Sequence, residues 1–133
     1  MDISNLTPRI SVPSKPDNVV PVTEVKDVAV DSVFVGSCTN GRYEDFAAVA
    51  EIVKGKKVAP GVMARAVPAT REIYGNLLAD GIINCLYDAG FIVSNPGCGG
   101  CASGQIGMTG SNEVQVSTSN RNFKGKQGDG ATY

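Results

Sequence analysis

Three of the four cysteines in this chain have the spacing of ligands for a metal or a metal cluster. Cys98 and Cys101 lie in the segment 95–104, where four glycines permit a tight turn and leave backbone N–H groups free to hydrogen-bond sulfur. Cys38 lies 60 residues before Cys98, in a polar segment that follows a short apolar run. A Cys-x-x-Cys pair with a distant third cysteine favours metal, cluster or redox chemistry in a reducing compartment.

The fourth cysteine, Cys85, lies in an apolar stretch and is interpreted as a buried structural thiol. The remaining three thiolates leave one coordination position open, because zinc and cubane clusters normally take four protein ligands. Spacing alone leaves three alternatives to a cluster: a disulfide between Cys98 and Cys101, a structural zinc site, and simple packing.

The composition narrows the classes of partner. The 133 residues carry 12 basic and 13 acidic side chains, so the net charge of −1 offers no basic excess for nucleic acid or an anionic membrane. No apolar run reaches the roughly 20 residues that cross a bilayer, and the N-terminus lacks the layout of a signal peptide. We therefore expect a cytoplasmic protein. The chain has no histidine, which removes the commonest proton shuttle.

Apolar runs and helical periodicities alternate along the chain from residue 31 onwards. This alternation predicts a three-layer α/β/α domain with a largely parallel sheet. Thr70 is the predicted N-cap of the second helix. The predicted strands are 32–36, 62–67, 91–94 and 113–118, and the predicted helices are 43–55, 70–78 and 80–89.

Three polar segments that contain glycine follow predicted strands, at 37–41, 95–104 and 119–130. Ligands of parallel sheets bind outside the carboxyl ends of the strands, so we expect these segments to share one edge. Residues 1–30 contain four of the seven prolines and are predicted to form an extended leader or linker. The proposed domain is therefore 31–133.

Three motifs resemble signature segments of the aconitase and 3-isopropylmalate dehydratase family, in the same order and spacing. They are VGSCTNGR at 35–42, NPGCGGC at 95–101 and STSNRNFKG at 117–125. The leader segment 17–22 also resembles the region preceding this domain in large subunits of isopropylmalate dehydratase and homoaconitase. The resemblance points to the C-terminal cluster-binding domain of such a large subunit, present here as a fragment.

The resemblance implies that Cys38, Cys98 and Cys101 each hold one iron of a [4Fe-4S] cluster, which isolated material can lack. The fourth iron would stay open to the substrate's hydroxyl and carboxylate and act as a Lewis acid. The implied reaction is that of a hydro-lyase in amino-acid biosynthesis, such as the leucine pathway. It isomerises a 2-hydroxy di- or tricarboxylate of the 3-isopropylmalate or homocitrate type by dehydration and rehydration.

Further roles come from the same resemblance. Arg121 matches an arginine that binds a substrate carboxylate, and Asn120 and Asn40 match the cluster environment. Lys126 stands where many members have a second arginine, so it keeps the charge but loses the planar fork. The family's histidine–aspartate pairs and serine base lie outside the matched portion. We therefore expect no catalytic residue in this fragment and no activity without the other large-subunit domains and a small swivelling subunit.

Overall fold

The computed structural model describes residues 4–133 and contains a five-stranded parallel sheet. The strands of this sheet are β3 (Ser32–Gly36), β4 (Met63–Val67), β5 (Phe91–Val93), β6 (Val114–Ser117) and β7 (Ala131–Thr132). Their order across the sheet is β5-β4-β3-β6-β7. The helices are α1 (Ser37–Asn40), α2 (Tyr43–Val53), α3 (Arg71–Ala79) and α4 (Ile82–Ala89).

The predicted class, a layered α/β domain with a parallel sheet, is confirmed. The four predicted strands and three predicted helices are present, with ends shifted by one or two residues. Thr70 is the N-cap of α3, because its Oγ1 accepts a hydrogen bond from the N–H of Ile73 at 3.2 Å. The single-turn helix α1 and the strand β7 were not predicted, since two to four residues carry no readable periodicity.

The strand order explains why the two faces of the sheet are covered differently. From β3 the chain proceeds outward to β4 and β5, and it then returns past both strands to β6 on the other side of β3. Parallel crossovers are almost always right-handed, so the outward and returning connections must lie on opposite faces. The connections that leave the neighbouring strands β3 and β6 also run in opposite directions, so they diverge at the carboxyl ends of these two strands, which is the usual ligand position in such sheets.

One face of the sheet packs against helices α2, α3 and α4. Val35 and Ala66 project from the strands into a core that contains Phe46, Leu77 and Leu86, the last three fully buried. At roughly 1.5–3 kcal/mol for each large apolar side chain that is buried, this face supplies most of the apolar stabilisation.

The other face is covered by the returning connection, which includes a 3-10 turn at Gly99–Cys101. An added Cβ on Gly99 or Gly107 would lie within 2.5 Å of the Phe34 ring, so both backbones rest directly on that ring. Arg65 of β4 donates from Nη1 to the carbonyl oxygen of Met108 at 2.9 Å. This layer is therefore held by backbone contacts and hydrogen bonds.

The leader contains a two-stranded antiparallel hairpin, which the sequence pattern did not indicate. Its strands are β1 (Arg9–Ser11) and β2 (Val19–Pro21), followed by a 3-10 turn at Val22–Val25. The leader also contacts the last polar loop, because Asn122 donates from Nδ2 to the carbonyl oxygen of Val12 at 3.0 Å. Residues 1–3 of the predicted leader lie outside the described residues. Within 4–133, no helix is long and apolar enough to cross a bilayer.

Candidate functional site

Cys38 lies at the carboxyl end of β3, where the backbone turns sharply out of the sheet. Gly36 has φ +119°, and an added Cβ there would lie 2.0 Å from the carbonyl oxygen of Val67. Ser37 is fully buried and has φ +87°, a conformation that is costly for a residue with a side chain. This turn leaves the Cys38 side chain exposed at the sheet edge.

Cys98 and Cys101 bracket the 3-10 turn that begins the returning connection. The N–H of Cys101 donates to the carbonyl oxygen of Cys98 at 3.3 Å, and the N–H of Gly99 donates to Oε1 of Gln105 at 3.1 Å. An added Cβ on Gly100 would lie 2.7 Å from the carbonyl oxygen of Gly107. The two glycines between the cysteines are therefore needed for the turn to pack onto the protein.

The Cys98 thiol lies close enough to Cys38 and Cys101 to be influenced by both. The charge of Cys38 is the main cause that raises the pKa of the Cys98 thiol, followed by a hydrogen bond with Cys38, partial loss of solvent and the charge of Cys101. The ammonium group of Lys126 acts in the opposite direction and lowers this pKa. The structure thus brings Cys38, Cys98, Cys101 and Lys126 to one place at the sheet edge.

The three cysteines at the sheet edge offer sulfur ligands for a metal ion or a cluster. All three cysteines are free thiols, and Cys38 and Cys98 are exposed. Within residues 4–133, no three His, Cys, Asp or Glu side chains are arranged to hold a single metal ion. Thiolates are ligands that both zinc and iron–sulfur clusters accept. The thiols therefore form a donor set that either a zinc ion or a cluster could use.

Cys85 is remote from this site. It lies on α4, half-buried, and its Sγ is 3.7 Å from the carbonyl oxygen of Ala50 in α2. Cys85 is therefore less buried than predicted, because it lies where α4 meets α2 at the edge of the helical layer rather than in the core.

Asn40 joins the Cys38 segment to the segment that leads to Arg121. Its Nδ2 donates to the carbonyl oxygen of Thr118, while Oγ1 of Thr118 accepts from the N–H of Gly36 at 2.9 Å. The N–H of Thr118 also donates to the carbonyl oxygen of Phe34 at 3.0 Å. Asn40 therefore links the segment 37–41 to the backbone at Thr118, directly before the segment 119–130.

Asn120 and Arg121 are exposed and line a polar cavity of 340 Å³ between the leader hairpin and the last loop. Arg9, from the hairpin, lines the same cavity. The structure thus groups Lys126 with the cysteines, and it groups Arg121 with a second basic side chain from the leader.

Three residues that hold the last loop in place were missed from the sequence. Asn122 is buried and donates to the leader backbone at Ser11 and Val12. Gln115 and Gln127 are also buried and hydrogen-bond to each other at 2.9 Å. One signal was available, because Gln115 lies between two valines in a predicted strand of a largely parallel sheet, and such strands are usually buried on both faces.

Comparison with known proteins places this site in a family. A model of the aconitase family (aconitate hydratase) matches residues 23–133. The chain is 47% identical over 128 residues to "3-isopropylmalate dehydratase large subunit 1" of Methanopyrus kandleri, covering 96% of this chain and 31% of that protein. It is 48% identical over 128 residues to "Homoaconitase large subunit" of Thermus thermophilus, with the same two coverages.

The fold, the cysteine site and these matches define an aconitase-type α/β domain. The chain belongs to the aconitase family. A third relative, "3-isopropylmalate dehydratase large subunit" of Geotalea uraniireducens, is 48% identical over 130 residues, which are 98% of this chain and 30% of that protein. The chain therefore spans about a third of the length of the curated relatives it matches.

Proposed function

We propose that this chain is the cluster-binding part of a hydro-lyase and that Cys38, Cys98 and Cys101 hold a [4Fe-4S] cluster. The observation that carries the proposal is that the short helix of Cys38 packs against the turn of Cys98 and Cys101 at the carboxyl end of the sheet, so two separate segments of the chain bring three thiols together. When bound, the cluster would supply a Lewis-acidic iron with an open position for a substrate hydroxyl.

The residues around the thiols would then bind and orient an anionic substrate. Lys126 lies near Cys98 and offers a positive charge to a carboxylate held beside the cluster. Arg121 would hold a second carboxylate through its planar guanidinium, which suits paired hydrogen bonds. Asn120 and Asn40 would complete the cluster environment, and Asn40 already fixes the Thr118 backbone beside the site.

The substrate proposed is a 2-hydroxy di- or tricarboxylate of the 3-isopropylmalate or homocitrate type, isomerised by dehydration and rehydration. The names of the relatives support this class. We propose that the proton-transferring residues come from the rest of a large subunit and from a small swivelling subunit. On this proposal, 31–133 alone binds the cluster, does not turn over, and works as part of a cytoplasmic assembly.

Anaerobic reconstitution with iron and sulfide tests the cluster proposal. We expect a brown protein with about four irons per chain, as a cubane requires. The Cys38→Ser, Cys98→Ser, Cys101→Ser triple variant should retain almost no iron. The matched control is Cys85→Ser, which changes a cysteine on the opposite face and should load fully.

The same preparation separates the alternatives. One zinc per chain, or a disulfide between Cys98 and Cys101 found by thiol titration before and after reduction, would support a cluster-free domain. Full iron loading by the triple serine variant would contradict the proposal.

A further inference from the structure

A pair of buried glutamines links two loops to the centre of the sheet. One is the cysteine segment, 95–104, and the other is the Arg121 loop, 119–130. Gln115, on β6, is 0% exposed, and Gln127, in the last loop, is 2% exposed. Nε2 of Gln115 donates to Oε1 of Gln127 at 2.9 Å and to the carbonyl oxygen of Gly107 at 3.2 Å. Oε1 of Gln115 accepts from Oγ of Ser32 at 3.3 Å. Gln115 thus holds the backbone at Gly107, three residues after the cysteine segment.

Gln127 extends this pair to Arg121. Its Nε2 donates to the carbonyl oxygen of Arg121 at 2.8 Å and to Oγ of Ser119. Its Oε1 is also close to the cysteine turn, because an added Cβ on Gly100 would lie 3.2 Å from it. Gln127 therefore contacts the backbone of the Arg121 loop on one side and lies against the cysteine turn on the other.

The amide orientations are fixed by the network. Each Nε2 uses both of its protons, and each Oε1 accepts one hydrogen bond. Reversing either amide would bring an oxygen against a carbonyl oxygen, of Gly107 in one case and of Arg121 in the other. Because both groups are buried, leaving any of them without a partner would be costly. The pair therefore has one low-energy arrangement.

We propose that Gln115 and Gln127 are positioning residues that fix the backbone of Arg121 relative to the cysteine turn. The inference deepens the proposed function and rests on it, because it gives the pair a role in setting the distance between the carboxylate-binding arginine and the cluster. An apolar pair of equal volume would fill the same space, but it could not hold the carbonyl groups of Gly107 and Arg121.

The geometry predicts that the two glutamines control different loops. Gln127→Glu keeps an oxygen that accepts from Gln115 but loses both donors to the Arg121 loop. Gln115→Met loses the contact with Gly107 and the contact with Gln127 together. The first change should therefore loosen the Arg121 loop alone, and the second should loosen both loops.

Amide hydrogen exchange of the cluster-free chain, resolved by NMR, measures this difference. The N–H of Ser119 and that of Lys126 report on the Arg121 loop, and those of Gly97 and Ala102 report on the cysteine segment. Gln127→Glu at pH 8 should lower the protection of the first two roughly 30-fold, because two buried hydrogen bonds are lost, and leave the other two unchanged. Gln115→Met should lower all four.

Two further measurements separate positioning from general stability. Ile83→Val, in the core on the opposite face, is the control. Its modest loss of stability should not lower the protection of the Arg121 loop more than that of the cysteine segment. The atoms that Gln127 Nε2 and Oε1 contact carry no charge, so within this network the glutamate of Gln127→Glu is the group whose protonation restores a donor. Lowering the pH until it is protonated restores one donor and should restore protection in Gln127→Glu but not in Gln127→Met.

Uniform loss of protection in Gln127→Glu, matching the control, would overturn the inference, as would protection that does not recover at low pH. The exchange experiment needs no cluster, so its outcome is independent of iron loading. If the chain fails to load iron but shows the two-loop pattern, the cluster proposal fails and the positioning inference stands as a property of the loops. Full iron loading with no two-loop pattern would support the cluster proposal and overturn the positioning inference.

Discussion

The two faces of the central sheet are buried by different means. The helix-covered face uses large apolar side chains such as Phe46, Leu77 and Leu86, which make no hydrogen bonds. The loop-covered face surrounds Phe34 with glycine backbone, a buried arginine and two buried glutamines. The first kind of burial is non-directional and tolerates small adjustments, whereas the second depends on well-defined donor and acceptor positions.

Because of this difference, the helix-covered face mainly provides stability and the loop-covered face mainly sets the geometry of the site. Every predicted cysteine ligand lies at the edge that the loop-covered face reaches, and Cys85 lies on the other side. Changes on the helix-covered face should therefore alter how much protein is folded. Changes on the loop-covered face should alter what the folded protein can bind.

The largest expected effect on stability is that of Leu77→Ala. Leu77 is fully buried in α3, so its truncation should cost about 2–5 kcal/mol of unfolding free energy. Denaturant titration measures this loss. The iron content per folded chain should stay that of the parent chain, and a selective loss of iron in folded protein would show that the two faces are not separable.

A smaller loss of stability with a larger loss of iron is expected for Gly100→Ala. The new Cβ would lie 2.7 Å from the carbonyl oxygen of Gly107, so the cysteine turn must move off the sheet at a cost of about 1–3 kcal/mol. Iron retention after gel filtration is the measurement. Gly97→Ala is the matched control in the same loop, because its Cβ would meet only Oε1 of Gln105 at an ordinary 3.7 Å. Equal iron retention in both variants would contradict the prediction.

The smallest effect, with no expected change in stability, is that of Lys126→Gln. The ammonium group lowers the pKa of the Cys98 thiol, so its removal should raise that pKa and reduce the thiolate fraction at pH 8. Alkylation of Cys98 by iodoacetamide, followed by peptide mass spectrometry, should become slower. Cys38→Ser removes the main cause that raises the pKa, so the same measurement should become faster. Unchanged alkylation rates in both variants would show that neither Lys126 nor Cys38 affects the pKa of the Cys98 thiol.

The elements with regular hydrophobic patterns could be predicted from the sequence. The run Val33–Val35 ending in Gly36 indicated a buried strand, and the spacing of Phe46 and Val49 indicated a helix. The position of the polar loops at one sheet edge followed from parallel topology. These inferences succeed because local periodicity and chain connectivity determine them.

The details of the site depend on contacts between distant residues, which a single sequence does not reveal. The glycines between Cys98 and Cys101 were expected to permit a tight turn, but the sequence did not show that Gly99 rests on Phe34 and Gly100 on Gly107. The proline-rich leader carried no strand pattern, because its three-residue strands are stabilised by pairing with each other and by Asn122. The roles of Arg121, Lys126, Asn40 and Asn120 came from the resemblance and stay predictions.

The hydrogen bond between Asn122 and the leader has a consequence for how the domain folds. It joins Asn122 to Val12 across 110 residues, and the bond from Asn122 to Ser11 spans 111. Closing so long a loop costs conformational entropy that only a largely organised chain can recover, and high contact order slows folding. We therefore expect the loop that carries Arg121 to become anchored late, after the sheet and its helices have formed.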